Sequence, residues 1–148
     1  MVSNMTPYPC SCRTPQFPAD PHTILIEEET IMAPNTIAAA ELLKLHDLVT
    51  PTEQGIASRV LGKTAGGTLT LFAFDQGQSL SEHAAPFDAY VLVLEGALVL
   101  TIAGQPVRAT PGAIVRMPAN VPHAVDAPEP ARMLLIMLRE PKPDHTAP

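Results

Sequence analysis

The sequence predicts an all-β domain built as a jelly roll or a related barrel, and three observations carry that expectation. Seventeen prolines and eight glycines are scattered through the 148 residues, which favours many short strands over long helices. Apolar runs recur at a spacing of roughly 8 to 12 residues, about nine of them in all. Within a run the side chains alternate: between Thr68 and Phe74, Leu69, Leu71 and Ala73 fall on one face and Thr68, Thr70, Phe72 and Phe74 on the other. An apolar share of 46% suits one buried core in a chain of this length, not two.

Residues 1 to 34 are read as an extension. They are Pro-rich, show no sustained period of 2 or 3.6, and are expected to be disordered. His22 there is read as solvated. Cys10 and Cys12 are too few for a disulfide framework and lack a second ligand pair for zinc. Glu27, Glu28 and Glu29 stand shortly before Met32, and their purine-rich codons would serve as a bacterial ribosome-binding sequence. Translation from Met1 or from Met32 is therefore left open, with residues 1 to 31 expected to be dispensable.

Residues 35 to 140 are assigned to the barrel. The segment from Asn35 to His46 carries three alanines behind an Asn or Thr cap, so local propensity suggests a short helix; an edge strand is the alternative. Residues 56 to 61 and 68 to 74 flank a Gly-rich turn and read as a hairpin. Ser79 to Ala85 should be a short strand stopping before Pro86, which cannot continue a ladder. Ala89 to Leu94 is apolar on both faces, as expected where one face looks into a barrel and the other is covered. Residues 97 to 102 and 105 to 109 form a hairpin about Ala103 and Gly104. Residues 113 to 117, 123 to 127 and 131 to 139 complete the strands, and 141 to 148, with His145, are a flexible tail.

Charge and hydropathy exclude some partners. The net charge of −6 comes without a cluster of Lys or Arg, so neither nucleic acid nor an anionic membrane finds an electrostatic footing. No helix-turn-helix pattern is present. No apolar run approaches the ~20 residues of a membrane span, and residues 1 to 31 lack the layout of a secretory signal. A cytoplasmic protein is expected. The apolar strands 89 to 94 and 131 to 139 exceed what one small barrel covers by itself, which predicts a homodimer.

Two stretches carry the chemistry. In the first, Gly77 is followed after five residues by His83, and Gly96 closes it; in the second, Gly112 is followed by Pro118, Asn120 and His123. This pairing resembles the two-part signature of the cupin family, G-x5-H-x-H-x(3,4)-E-x6-G and G-x5-P-x-G-x2-H-x3-N, over about residues 42 to 140. The resemblance implies a cupin jelly roll, or double-stranded β-helix barrel, in which three histidines and a glutamate hold a divalent metal. Here Ala85 stands at the second histidine and Ala89 at the glutamate. Asn120 replaces the usual glycine and is the best substitute at a left-handed turn.

A two-histidine half-site, His83 with His123, is what the resemblance leaves for a divalent transition metal such as Fe, Mn, Zn, Ni or Cu. Asp88, Glu82 or Tyr90 would supply a missing ligand only if the turn at Pro86 re-aims one of them. Ala85, Ala89, Asp88, Tyr90 and Met117 are the candidate pocket residues; Met133 and Met137 are pocket lining or plain core. Arg108 and Arg116 are read as surface residues. Two functions stay open: metal-dependent conversion of a small molecule, of the oxygenase or isomerase type, and metal-free binding or sensing of a compact, partly apolar ligand.

Overall fold

The computed structural model describes residues 36–140, so the expectations for the N-terminal extension, Cys10, Cys12, His22, the start at Met1 or Met32, and the tail with His145 lie outside the described residues. The described chain is all-β, with one helical turn, α1 (Leu45–Leu48), followed by nine strands. These are β1 (Ile56–Thr64), β2 (Gly67–Phe74), β3 (Ser79–His83), β4 (Asp88–Glu95), β5 (Leu98–Ile102), β6 (Gln105–Ala109), β7 (Ile114–Met117), β8 (His123–Asp126) and β9 (Ala131–Leu138). They form two antiparallel sheets, β1-β2-β9-β4-β7 and β3-β8-β5-β6. The two sheets pack face to face as a jelly-roll barrel.

The alternation read from β2 holds. Phe74 is fully buried between the sheets with Val91, Leu98, Leu100, Val125 and Met133, and Phe72 packs against that cluster. Leu71 and Ala73 point the other way, into a second cluster with Val49 and Leu61 that the α1 segment covers through Leu45 and Leu48. Each buried Leu or Phe contributes about 1.5–3 kcal/mol by leaving water. The cover on the outer face of β2 is thus supplied within the chain.

Three local expectations are corrected. The helix at 35 to 46 is only α1, and Ala40 before it takes a positive φ in a turn; the alanines are exposed, and a helix that buries nothing has no tertiary support for its costly nucleus. A single main-chain bond from Ile37 N–H to Leu61 O, 2.9 Å, runs from this segment to β1. The Gly-rich turn at 62 to 67 shrinks to Ala65 and Gly66, because β1 continues to Thr64 past a bulge between Val60 and Gly62. β3 ends at His83 rather than at Ala85. The Ala103–Gly104 turn is as expected, with both residues at positive φ, the twist a two-residue hairpin needs.

Candidate functional site

One end of the barrel collects both motif halves. β3 arrives there at His83 and β4 leaves at Asp88; β7 arrives at Met117 and β8 leaves at His123. The two connections, 84–87 and 118–122, are tied together by Asn120 N–H, which donates to Ala85 O at 2.7 Å. Asn120 holds the left-handed conformation expected of it, φ 60°. Gly96, at the far end of β4, is required for a different reason: besides its positive φ, a Cβ there would run into the Pro130 carbonyl.

A bulge decides which side chain meets His123. Leu80 pairs with Val125, but three residues later His83 pairs with His123, two residues on in the partner strand. One extra residue in β3 therefore brings His83, not Glu82, opposite His123. The two rings lie edge to face with centroids 4.6 Å apart. His123 is 3% exposed, whereas His83 sits exposed at the rim.

Both imidazoles are oriented by their own strands. His83 Nδ1–H donates to Ser81 O at 3.0 Å, and His123 Nδ1–H donates to Val121 O at 2.9 Å. A carbonyl only accepts, so Nδ1 carries the proton in each ring and the neutral ring keeps its lone pair on Nε2. Each anchored ring thus keeps an acceptor for a hydrogen-bond donor or a Lewis acid.

The remaining candidates divide. Ala89 is buried in the core, paired with Met117 on one side and Met137 on the other. Met117 is buried likewise, and Met133 and Met137 belong to the same cluster or pack on it. Ala85 lies in the loop after β3, so the shared inward face expected for His83 and Ala85 has no strand to impose it. Tyr90 stands opposite Arg116 across β4 and β7.

Asp88 is committed elsewhere. Its Oδ2 takes Arg116 Nη2 at 2.6 Å and Nε at 3.0 Å, and its Oδ1 takes Ala119 N–H at 2.9 Å. The Ala119 amide first, and then the Arg116 guanidinium, hold this carboxyl below the ordinary aspartate value. Asp88 thus pins the 118–122 connection that leads into His123. Arg116, read as a surface residue, is its partner; Asp88 at the start of β4 against Arg116 near the end of β7 is a cross-strand neighbourhood that only register reveals. With Asp88 engaged, the described residues offer no group of three or more His, Cys, Asp or Glu side chains able to hold a metal. They do not fit a resident metal centre, for which about three protein ligands are usual.

Two open grooves flank the barrel. The larger, about 850 Å³, is lined by Pro86, Phe87, Asp88, Arg116, Leu138 and Arg139 among others, with Arg139 stacked over Phe87 at 5.0 Å. The second, about 480 Å³, runs along β1, β2 and β9. Neither is lined by His83 or His123; Asp88 lines the first and Met137 the second, and Ala85, Ala89, Tyr90 and Met117 line neither. Sequence reasoning also missed a cluster on the other side of the fold. There Glu95 takes His46 Nδ1–H at 2.7 Å and the guanidinium of Arg132, whose Nε holds Val49 O at 3.2 Å and so fastens the α1 segment.

Known proteins agree with this architecture. Residues 70–137 match the family model described as a cupin domain. A conserved protein of unknown function from Streptococcus pyogenes is 34% identical, with 72% of this chain and 93% of that chain covered and a TM-score of 0.67. A cupin superfamily protein from Desulfitobacterium hafniense is 27% identical, with 72% and 96% covered and a TM-score of 0.65. A cupin 2 conserved barrel domain protein from Leptotrichia buccalis is 36% identical over 66% of this chain and 47% of that one, with a TM-score of 0.63. No curated protein sequence matches this chain. With both motif halves inside the matched span and the strands in place around them, the chain belongs to the cupin superfamily, as a small cupin-2-like barrel.

Proposed function

We propose that this chain binds a compact, partly apolar small molecule at the histidine end of the barrel, with hydroxyl groups of the ligand donating to Nε2 of His83 and His123 and no resident metal. The observation that carries the reading is the pair of Nδ1 anchors, which leaves the Nε2 lone pair free on each of two rings whose centroids are 4.6 Å apart. The reading takes its apolar wall from Met117, Ala89 and Met137, register partners at the same end of the barrel, in keeping with sites that combine apolar lining and a few polar groups. Nuclear magnetic resonance titration of metal-stripped protein with glycerol, glycolate and lactate tests it. The rings of both histidines shift with one of these probes, and His83→Ala or His123→Ala weakens the binding; unmoved rings with all three count against the proposal.

A second reading keeps a weakly held divalent metal, Fe, Mn, Zn, Ni or Cu, on the same two nitrogens, with conversion of the ligand by oxygenase or isomerase chemistry. What favours it is the same pair of carbonyl-anchored rings, the arrangement that orients metal-binding imidazoles. Elemental analysis of freshly purified protein separates the two: stoichiometric metal that is lost in the His83→Ala, His123→Ala double variant supports the second. The homodimer is likewise a proposal. Ile114, 60% exposed, and Leu138, 51% exposed, lie on strands of the five-stranded sheet whose outer face α1 covers only in part. Sedimentation at micromolar concentration gives about twice the 15.8 kDa chain mass if it holds.

A further inference from the structure

The larger groove, about 850 Å³, falls within the size of small-molecule sites, about 300–1,000 Å³, and the histidine pair takes no part in it. Asp88, Arg116 and Leu138 alternate along their strands with Ala89, Met117 and Met137, which are buried in the core or pack on it. The groove therefore opens on the outer face of the five-stranded sheet. The 84–87 connection adds Pro86 and Phe87 to its wall, the 118–122 connection adds Ala119, and Arg139 and Glu140 follow directly on β9.

The guanidinium groups of Arg116 and Arg139 differ in what they meet. Arg116 is occupied, since its Nε and Nη2 both donate to Asp88 Oδ2. Arg139 lies over the Phe87 ring, 5.0 Å from the centroid, and no carboxylate among the described residues pairs with it. The ion pairs there are His46–Glu95, Arg116–Asp88 and Arg132–Glu95. Glu140 lines the same groove, but it is exposed and belongs to none of them.

An aromatic ring holds a cation through its quadrupole and offers no oxygen to the N–H fork of the guanidinium. Arg139 is thus positioned while its donors still lack a carboxylate. The backbone fixes both members of the pair: Arg139 N–H donates to Gly66 O at 2.8 Å, and Phe87 directly precedes Asp88, which Arg116 and the Ala119 amide hold. A half-buried guanidinium without a counter-ion favours an anion over a neutral molecule of the same shape.

We infer that this groove is a second ligand site, for a small carboxylate with an apolar body. The carboxylate sits on the Arg139 fork, whose planar donors match its two oxygens. The carbon skeleton lies against Pro86, Phe87 and Leu138, the last of them 51% exposed.

Titration of the full chain with phenylacetate tests the inference, with phenylacetamide and acetate as comparisons and nuclear magnetic resonance signals of Arg139 Nε–H, the Phe87 ring and both histidine rings observed. Phenylacetate shifts the Arg139 and Phe87 signals and leaves the histidine rings in place. Phenylacetamide, which lacks the charge, and acetate, which lacks the ring, bind about tenfold more weakly or worse. Arg139→Gln weakens phenylacetate binding about tenfold, and Arg139→Lys, which keeps the charge without the fork, weakens it less. Equal affinity for phenylacetate and phenylacetamide overturns the inference, and that comparison needs no variant. So does unchanged affinity in Arg139→Gln, or an Arg139 signal that phenylacetate leaves in place. Shifts confined to the histidine rings overturn it as well, because the anion then binds at the histidine end.

Discussion

The two connections that meet at the histidine end differ in how firmly the fold holds them. The second, 118–122, is held at three points: Ala119 N–H on Asp88, Asn120 N–H on Ala85 O, and Ala103 N–H on Pro122 O at 2.9 Å. It delivers a buried His123. The first reaches His83 through a bulge and leaves that ring exposed at the rim, with Ala85 and Ala89 where the family places ligands. Backbone requirements have kept the second half close to the family pattern, whereas the ligand positions of the first impose nothing on the backbone and are filled by alanine.

The largest effect should come from restoring those positions. Ala85→His with Ala89→Glu adds a neutral and an anionic ligand, and divalent metal binding tightens by several orders of magnitude in titrations at fixed pH. Without metal the double variant is less stable than wild type, because the new carboxylate enters a buried position between Met117 and Met137. Equal metal affinities would show that the two positions do not face the histidines.

Next in size is the contrast between the histidines. His123→Ala removes a buried, hydrogen-bonded ring and costs roughly 1–3 kcal/mol in denaturant unfolding. His83→Ala, at the exposed rim, stays within about 0.5 kcal/mol. Equal losses would erase the asymmetry between the halves.

How much of this was legible in the sequence follows the same division. Strand positions were readable because alternation is a property of the backbone, as β2 illustrates with Phe72 and Phe74 inside and Leu71 outside. Asn120 was readable because few residues tolerate its φ. The bulge that selects His83 over Glu82 and the fork between Asp88 and Arg116 both depend on register between strands far apart in sequence. No local pattern encodes them. The exposed alanines before α1 misled because helix propensity is a weak guide where nothing is buried.

The smallest effect is on acid stability. Asp88 has its carboxyl lowered by the Ala119 amide and then by Arg116, so its contribution is present above the unfolded-state value and is lost as pH falls through the lower folded-state value. Unfolding of wild type should therefore show a loss confined to the region below about pH 4, to which Asp75 and Glu95, lowered by their own hydrogen bonds, also contribute, and Asp88→Asn should make that loss smaller. A wild-type loss at higher pH that persists in Asp88→Asn would assign it to another group.

The central claim is that two anchored imidazoles, not a metal centre, form the binding group. A long-range proton–nitrogen spectrum of the metal-stripped protein in mildly alkaline buffer addresses it directly. The account predicts that His83 and His123 both carry their proton on Nδ1, and that glycerol shifts the Nε2 resonances of both. A proton on Nε2 of either ring, or Nε2 resonances that glycerol leaves in place, would contradict it.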